Sequence, residues 1–321
     1  MGLSDLLRRK SKGPTEHPSE SGIFVVGVGG GGCNIVNRFS QLTDGKAKSI
    51  AVNTDKKSLT KTYAEKRLLI GSKYADEGAK GNMRLGKDCA MSSRSAISDS
   101  LQGAELVFLV CGLGGGTGTG ASPVIADIAN KQGAFIVSMI TLPFEFEKKR
   151  RKHAFRNLKA LRKSSDIVVL VDNQKLMQAA PEISAKQAFS AIDQLMCESV
   201  MGLISAIDQD ALVSVGMSKL RRMADESGLA TIMWGESLDP FVALSDALGN
   251  PLLPIAVDDV QCALLNVHGG RTMDESNVTA IYQGLVEAVG ESKDSYCSAD
   301  IEQGRNSFRV MVLSSIAEDS A

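Results

Sequence analysis

Gly114-Gly115-Gly116-Thr117-Gly118-Thr119-Gly120 stands between the apolar run Leu106-Val107-Phe108-Leu109-Val110 and the stretch Ala121-Ser122-Pro123-Val124-Ile125-Ala126. The first flank reads as a buried strand, the second as a helix start with Pro123 in its first turn. Glycines let the backbone approach an anion closely, and the two threonines offer hydroxyl donors. The helix behind them aims free N–H groups and a partial positive charge at the same point. This is the composition of a phosphate cradle. A flexible glycine linker would not be framed by such strongly patterned flanks.

A second run repeats the arrangement nearer the N-terminus. Ile23-Phe24-Val25-Val26-Gly27-Val28-Gly29-Gly30-Gly31-Gly32-Cys33-Asn34 reads as strand, glycine turn and helix, the helix continuing through Ile35, Val36 and Phe39. Gly27, Gly29 and Gly32 have the spacing of a dinucleotide fingerprint. Ser49-Ile50-Ala51-Val52-Asn53-Thr54-Asp55 even ends in the acidic residue that such a fold places on the ribose. One pyrophosphate hardly needs two glycine cradles, whereas the longer anionic tail of a nucleoside triphosphate does. A dinucleotide-dependent oxidoreductase is the alternative that stays open at this point.

The 321 residues, 43% of them hydrophobic, can bury one large core or two smaller ones, and the length suggests two domains. A formal net charge of −1 argues against a nucleic-acid partner, whose footprint would be basic. The six cysteines are scattered without a Cys-x-x-Cys pair, which favours buried reduced thiols over disulfides or zinc, and no metal site is expected among the side chains. No run approaches about 18 uninterrupted apolar residues and no signal-peptide pattern is present, so a cytoplasmic location is expected.

Residues 22 to about 180 alternate strand and helix patterns, the mark of an α/β layer sandwich with a mostly parallel sheet. The strand candidates are 23–28, 49–53, 67–70, 106–111, 134–140 and 167–172. Ala188, Ile192, Leu195, Met196, Val200 and Leu203 repeat at three and four residues, which predicts a long helix from about Ser184 to Ala206. Beyond it, 229–234, 262–267 and 308–316 read as strands and 239–248 and 274–289 as helices, a smaller α+β domain. Residues 1–21, polar from Lys10 onward with Pro14 and Pro18, read as a disordered tail.

The run from Gly114 to Pro123 is similar to the signature of the tubulin/FtsZ superfamily, and its details resemble FtsZ more than tubulin. Four further segments agree in order and spacing. Gly27 to Asn37 resembles the family's first glycine loop, and Ala51 to Asp55 its next strand end. Gly78-Ala79-Lys80-Gly81-Asn82 resembles the loop that covers the terminal phosphate. Thr141-Leu142-Pro143-Phe144-Glu145-Phe146-Glu147, with Arg151 beyond, resembles the segment that meets the ribose. The resemblance runs from about residue 22 to about residue 318.

It implies a GTP-binding domain over 22–183, a central connecting helix over 184–208 and a C-terminal α+β domain over 209–321. It also implies GTP or GDP as the ligand, with Mg2+ as an optional companion, and head-to-tail self-assembly into filaments serving cell division or cell shape. The implied nucleotide contacts are Gly29, Gly30, Gly31 and Asn34 in the first loop, and Ala79, Gly81 and Asn82 in the covering loop. Gly114, Gly115, Gly116, Thr117, Gly118, Thr119 and Gly120 follow in the second cradle. Asn173 would reach the purine, Phe189 would stack on it, and Glu147 and Arg151 would meet ribose and phosphate. Asp193 would accept both donors on the guanine edge and so disfavour adenine.

The loop after the long helix departs from the family. There, an Asn-x-Asp-x-x-Asp pattern enters the neighbouring subunit's site and positions the attacking water. Here the stretch is Ile207-Asp208-Gln209-Asp210-Ala211-Leu212-Val213-Ser214-Val215-Gly216-Met217-Ser218, and Val213, Val215 and Ser218 fall where the family has those residues. Neither Val nor Ser replaces a carboxylate as a proton acceptor. Asp208 and Asp210 are the catalytic candidates that remain, and they serve only if the loop is re-registered; otherwise they cap or solvate it. Two forms of one function follow: a filament-forming GTPase with weakened turnover, or a non-hydrolysing paralogue that uses GTP as a structural ligand or switch, alone or beside a paralogue that keeps the carboxylates.

The ends depart too. Family members carry a C-terminal peptide that docks on membrane adaptors; this sequence stops at Ala321, just past the strand at 308–316, and no such peptide is expected. Met1, Leu3, Leu6 and Leu7 beside Arg8, Arg9, Lys10 and Lys12 suggest a short membrane-surface helix over residues 1–12 as a substitute.

Overall fold

The structure, a computed structural model, describes residues 22–43, 45–71, 78–208, 210–226 and 228–317. The expected tail over 1–21 and its membrane-facing segment lie outside the described residues. The chain packs as two compact units that divide between Met201 and Gly202.

The N-terminal unit carries six parallel strands: β1 (Ile23–Val28), β2 (Lys48–Asn53), β3 (Lys66–Leu69), β4 (Leu106–Gly112), β5 (Phe135–Leu142) and β6 (Ile167–Asp172). Their order is β3-β2-β1-β4-β5-β6. β1, β5 and β6 are buried along their whole length, and β4 in all but its last residue. This explains their continuous apolar runs: a parallel strand with helices on both faces has no wet side to mark with alternation.

The crossovers are α1 (Gly29–Leu42), α2 (Lys56–Thr60), α3 (Met83–Ser92), α4 (Arg94–Ser100), α5 (Gly116–Lys131) and α6 (Lys148–Arg162), with α7 (Asn173–Ala179) after β6. β1 lies between β2 and β4, so the chain winds outward one way from β1 and the other way from β4. Such a reversal opens a crevice at the carboxyl ends of the two central strands. Both glycine turns leave from those ends.

Helix α8 (Ala185–Ile207) spans the division between the units. Ser184 and Gln187 cap its start reciprocally: the Gln187 N–H donates to Ser184 Oγ at 3.3 Å, and the Ser184 N–H donates to Gln187 Oε1 at 2.9 Å. Among the described helices it alone has the length and composition of a membrane span. It carries Asp193 and Glu198, however, and 56% of its apolar window is buried inside the protein.

The C-terminal unit holds α9 (Met217–Glu226), β7 (Leu229–Ser237), α10 (Pro240–Gly249), β8 (Val260–Gly269), α11 (Glu275–Val289), β9 (Asp294–Ile301) and β10 (Phe308–Ile316). β10 pairs antiparallel with β7 and β8, and β8 pairs in parallel with β9 through the α11 crossover. Val278, Ile281 and Leu285 of α11 recur at three and four residues and join Leu265, Val267 and Val310 of the sheet in one core. Strand β9 is an element that the sequence patterns do not announce. Its Asp-Ser-Tyr-Cys-Ser-Ala-Asp-Ile run has little apolar signal, because Ser298 is buried by hydrogen bonds to Asn266 Nδ2 (2.9 Å) and to the Leu265 carbonyl (3.1 Å). All six cysteines are buried free thiols. Burial pushes those of Cys33 and Cys111 up to about 12.

Candidate functional site

The two glycine runs meet. Gly29 adopts φ +73°, and a Cβ there would stand 2.8 Å from the backbone nitrogen of Gly118. Each run is the first turn of a helix: α1 begins at Gly29 and α5 at Gly116, and neither has a side-chain cap, so their first N–H groups lie open to a ligand. Because α5 starts this early, Pro123 falls in the helix interior and not in the first turn as its position suggests. Beside these turns lies a cavity of about 550 Å³ within the N-terminal unit, the size of a small-molecule site.

Gly29, Gly30, Gly31 and Asn34 line it from α1, and Gly115, Gly116, Thr117 and Gly118 from α5. Ala79 and Gly81 line it from the covering loop, and Glu147, Asn173, Phe189 and Asp193 complete the expected set that the structure brings together. The polar groups among them are shaped for a ligand with donors. Asn173 is buried, and its Oδ1 has no hydrogen-bond partner, an acceptor aimed at nothing in the protein. Burial lifts the Asp193 carboxyl to about 6, against the opposing pull of Arg38 and a hydrogen bond from Asn34. A carboxylate held at that cost is stabilised by any ligand that brings N–H donors to it. Arg38 fixes this wall by donating to Gln194 Oε1 (3.1 Å) and Ser190 Oγ (2.7 Å) on α8.

Phe189 is 41% exposed although it sits on an apolar helix. Its ring stands edge-on to the fully buried Phe144 at 4.9 Å, and Phe144 stacks on Phe146 at 5.1 Å. The result is a supported aromatic face, fit for stacking a planar ligand.

Several expected contacts also build the site's frame. The threonine hydroxyls, read as donors to an anion, have partners inside the protein as well. Thr119 Oγ1 accepts the Gly114 N–H at 2.8 Å and closes the turn, and Thr117 Oγ1 lies 2.7 Å from Thr54 Oγ1. Thr54 in turn accepts the Ala79 N–H at 3.0 Å, which ties the end of β2, the covering loop and the second cradle together. Asn82 caps α3 through the Leu85 N–H. Gly114 and Gly120 are packing glycines: a Cβ would strike the Arg150 carbonyl from the first and the Met83 carbonyl, 2.0 Å away, from the second.

Arg151 is the clearest difference. Its guanidinium forks onto Asp172 (2.9 and 2.6 Å) and donates to the Pro143 carbonyl at 2.7 Å, outside the cavity lining. Asp172 faces it because the same carboxylate caps α7 at the Gln174 N–H. The neighbouring Arg150 lines the cavity and pairs with Glu147. Arg150 stood outside every expected contact, whereas Lys80 and Thr141, which also line the cavity, belong to the two resembling segments without a role of their own. The three-residue spacing of Glu147 and Arg150 was the available signal.

Asp208 and Asp210 belong to the C-terminal unit and are not among the cavity-lining residues. Asp208 Oδ1 accepts the Asp210 N–H at 3.0 Å, and the Asp208 carbonyl accepts the Ala211 N–H, the geometry of a capped turn. Downstream the loop is fastened by its backbone. Val213 and Ala299 exchange two hydrogen bonds of 3.0 Å, and the Val215 N–H donates to the Ala206 carbonyl at 2.8 Å. The Val213 side chain packs on the core of this unit. A re-registered loop would have to remake these backbone bonds with other residues and withdraw the Val213 side chain.

Residues 22–181 match the Tubulin/FtsZ family, GTPase domain. The chain is 40% identical over 277 residues to cell division protein FtsZ 1 of Thermococcus kodakarensis, spanning 85% of this chain and 73% of that protein. Against FtsZ 1 of Methanocaldococcus jannaschii the identity is 35% over 297 residues, 91% of this chain and 82% of that one. An empty FtsZ dimer structure from M. jannaschii superposes with a TM-score of 0.89 at 33% identity, covering 99% of this chain and 92% of the other. A GTPγS-bound protofilament of CetZ2 from Haloferax volcanii shares the fold alone, at TM-score 0.78 and 23% identity over 93% of this chain and 94% of that one.

Proposed function

The chain belongs to the tubulin/FtsZ family of cytoskeletal GTPases, and we propose that it binds GTP in the cavity of its N-terminal unit, assembles head to tail and hydrolyses the nucleotide slowly. The orphaned Asn173 Oδ1, the raised Asp193 carboxyl and the supported Phe189 ring around two open helix N-termini carry this reading. Together they suit a planar base with N–H donors joined to a polyanion. Such a ligand would place its phosphates at the first turns of α1 and α5, with Arg150 at the rim, and its base against Phe189 and Asp193. Among the described residues no three metal-ligating side chains converge. Mg2+ would therefore be held by phosphate oxygens and water with no protein cage.

Slow turnover follows from the loop. In a head-to-tail contact it would bring Val213, Val215 and Ser218 to the neighbour's nucleotide, and none of these orients a water as a carboxylate does. In this reading Asp208 caps its own turn and Asp210 is a solvated residue of it. Calorimetry with GTP, GDP and ATP, together with sedimentation and phosphate release, tests the whole. Guanine preference and GTP-dependent pelleting with little phosphate release support it. Equal affinity for ATP and GTP would sink the base assignment, and brisk phosphate release abolished by Asp208→Ala or Asp210→Ala would sink the loop assignment. Complete absence of phosphate release would favour the second reading, GTP as a permanent structural ligand.

A further inference from the structure

The near-neutral chain hides two units of opposite charge. Residues 18–201 hold 25 Lys and Arg against 17 Asp and Glu, whereas residues 202–321 hold 18 Asp and Glu against 7 Lys and Arg. The basic excess concentrates on α6 and its end, where no acidic residue occurs from Lys148 to Ser165. Buried Ala154 and Leu161, seven residues apart, fix the inward face of this helix. Lys148, Lys152, Arg156, Lys159 and Lys163 then follow at intervals of three and four along one outward face, all exposed. Among the described residues no acidic side chain pairs with any of them, in contrast to Arg150 and Arg151. The row is about 22 Å long at 1.5 Å per residue. Its like charges repel one another unless an anionic surface covers them.

We propose that this ridge receives the acidic C-terminal unit of a second copy, so that opposite charge steers and holds the contact between copies. This rests on the head-to-tail reading above and adds to it which surface carries the contact and by what force. In that reading the loop after α8 reaches the neighbour's cavity, and Arg150, in the first turn of α6, lines that cavity. The loop brings Asp210, which is exposed and has no basic partner among the described residues. An anionic membrane fits the ridge less well. An interfacial helix needs an apolar face toward the lipid, and here the apolar face is turned into the protein, leaving Phe155, over which the Arg151 guanidinium sits at 5.5 Å.

The test is GTP-dependent sedimentation of the full chain across a KCl series, beside the triple variant Lys152→Glu, Arg156→Glu, Lys159→Glu and its charge-conserving counterpart Lys152→Arg, Arg156→Lys, Lys159→Arg. The parent's critical concentration should rise roughly tenfold between about 50 mM and about 500 mM KCl, as screened complementary charge requires. The charge-reversed variant should fail to pellet at low salt yet bind GTP within about twofold of the parent by calorimetry, and the conservative variant should pellet like the parent. A charge-reversed variant that pellets normally overturns the inference while leaving the filament reading standing. So does a parent that floats with phosphatidylglycerol vesicles through this ridge while the reversed variant still assembles. A parent that stays monomeric with GTP at every salt overturns both.

Discussion

The cavity of the N-terminal unit is braced by side-chain hydrogen bonds and the loop after α8 by backbone ones, and the two use their side chains in opposite ways. In the cavity, packing and hydrogen bonds inside the protein leave specific polar atoms unspent. Asn173 Oδ1 has no partner, the Asp193 carboxyl is raised by burial, and two helix N-termini lack caps. In the loop three residues are spent on the fold: Asp208 on its own turn, Val213 on β9 and the core, Val215 on the end of α8, and the exposed Asp210 carboxylate is left over. A site retains chemistry only where the fold leaves groups unsatisfied. In the proposed reading the contrast separates binding from turnover within one chain, and each half of it is open to a direct challenge.

The largest expected effect is on turnover. Val215→Asp with Ser218→Asp places acids where the loop lacks them; Ser218 is exposed and Val215 only half-buried, so both carboxylates reach solvent. Phosphate release during assembly should rise by ~10²–10⁴, with GTP affinity unchanged in calorimetry. No change in rate would mean that the loop is not what limits hydrolysis.

Gly118→Val should cost nearly as much, on the binding side. A Cβ at this position would lie 2.6 Å from the Gly112 carbonyl and 3.4 Å from that of Val28, the ends of the two central strands. The added side chain wedges the strands apart and so moves both cradles, with GTP affinity falling by at least roughly a hundredfold if about 3 kcal/mol is lost. Unchanged affinity would show that the cradles are not the phosphate site.

Arg151 and Arg150 should divide by readout. Arg151→Ala strands the buried Asp172 and releases the Pro143 turn, and should lower stability by about 3 kcal/mol, read as a drop in urea midpoint. Arg150→Ala should leave that midpoint within experimental error and weaken GTP binding several-fold. The reverse pattern would restore Arg151 as the ligand contact.

The smallest effects concern Asp193. Asp193→Asn leaves guanine donors poorly paired and should cost about 1–3 kcal/mol of GTP affinity, with ATP little affected. Because burial lifts this carboxyl from 3.8 to about 6, acid should protonate it and weaken GTP binding as pH falls through about 6. Stability should move the other way. The folded state holds the proton more tightly than the unfolded chain, so this group's destabilising contribution is present in full above about pH 6 and fades as pH drops toward 4. Asp193→Asn should flatten both dependences.

Strands β1, β4, β5 and β6, the long helix and the two glycine turns follow from the sequence by itself. Each is a local signal: a fully buried parallel strand is a continuous apolar run, a helix on a core repeats at three and four, and a glycine turn is spelled by its glycines. The residue types at 213, 215 and 218, Val, Val and Ser, are legible for the same reason, and the proposed weak turnover rests on them. Strand β9 is not, since its buried Ser298 is satisfied by Asn266 and Leu265, residues 32 and 33 positions away in the chain. Nor is the choice between Arg150 and Arg151. The consecutive cations from Lys148 to Lys152 look alike in sequence, and only the placement of Asp172 at the cap of α7 draws one of them out of the cavity. Tertiary structure likewise decided that Thr117 and Thr119 brace the cradle, that Phe189 stands exposed with the buried Phe144 edge-on to it, and that Val213 is paired with Ala299. All of these depend on which partner reaches a group first, and partners distant in sequence are set by the fold.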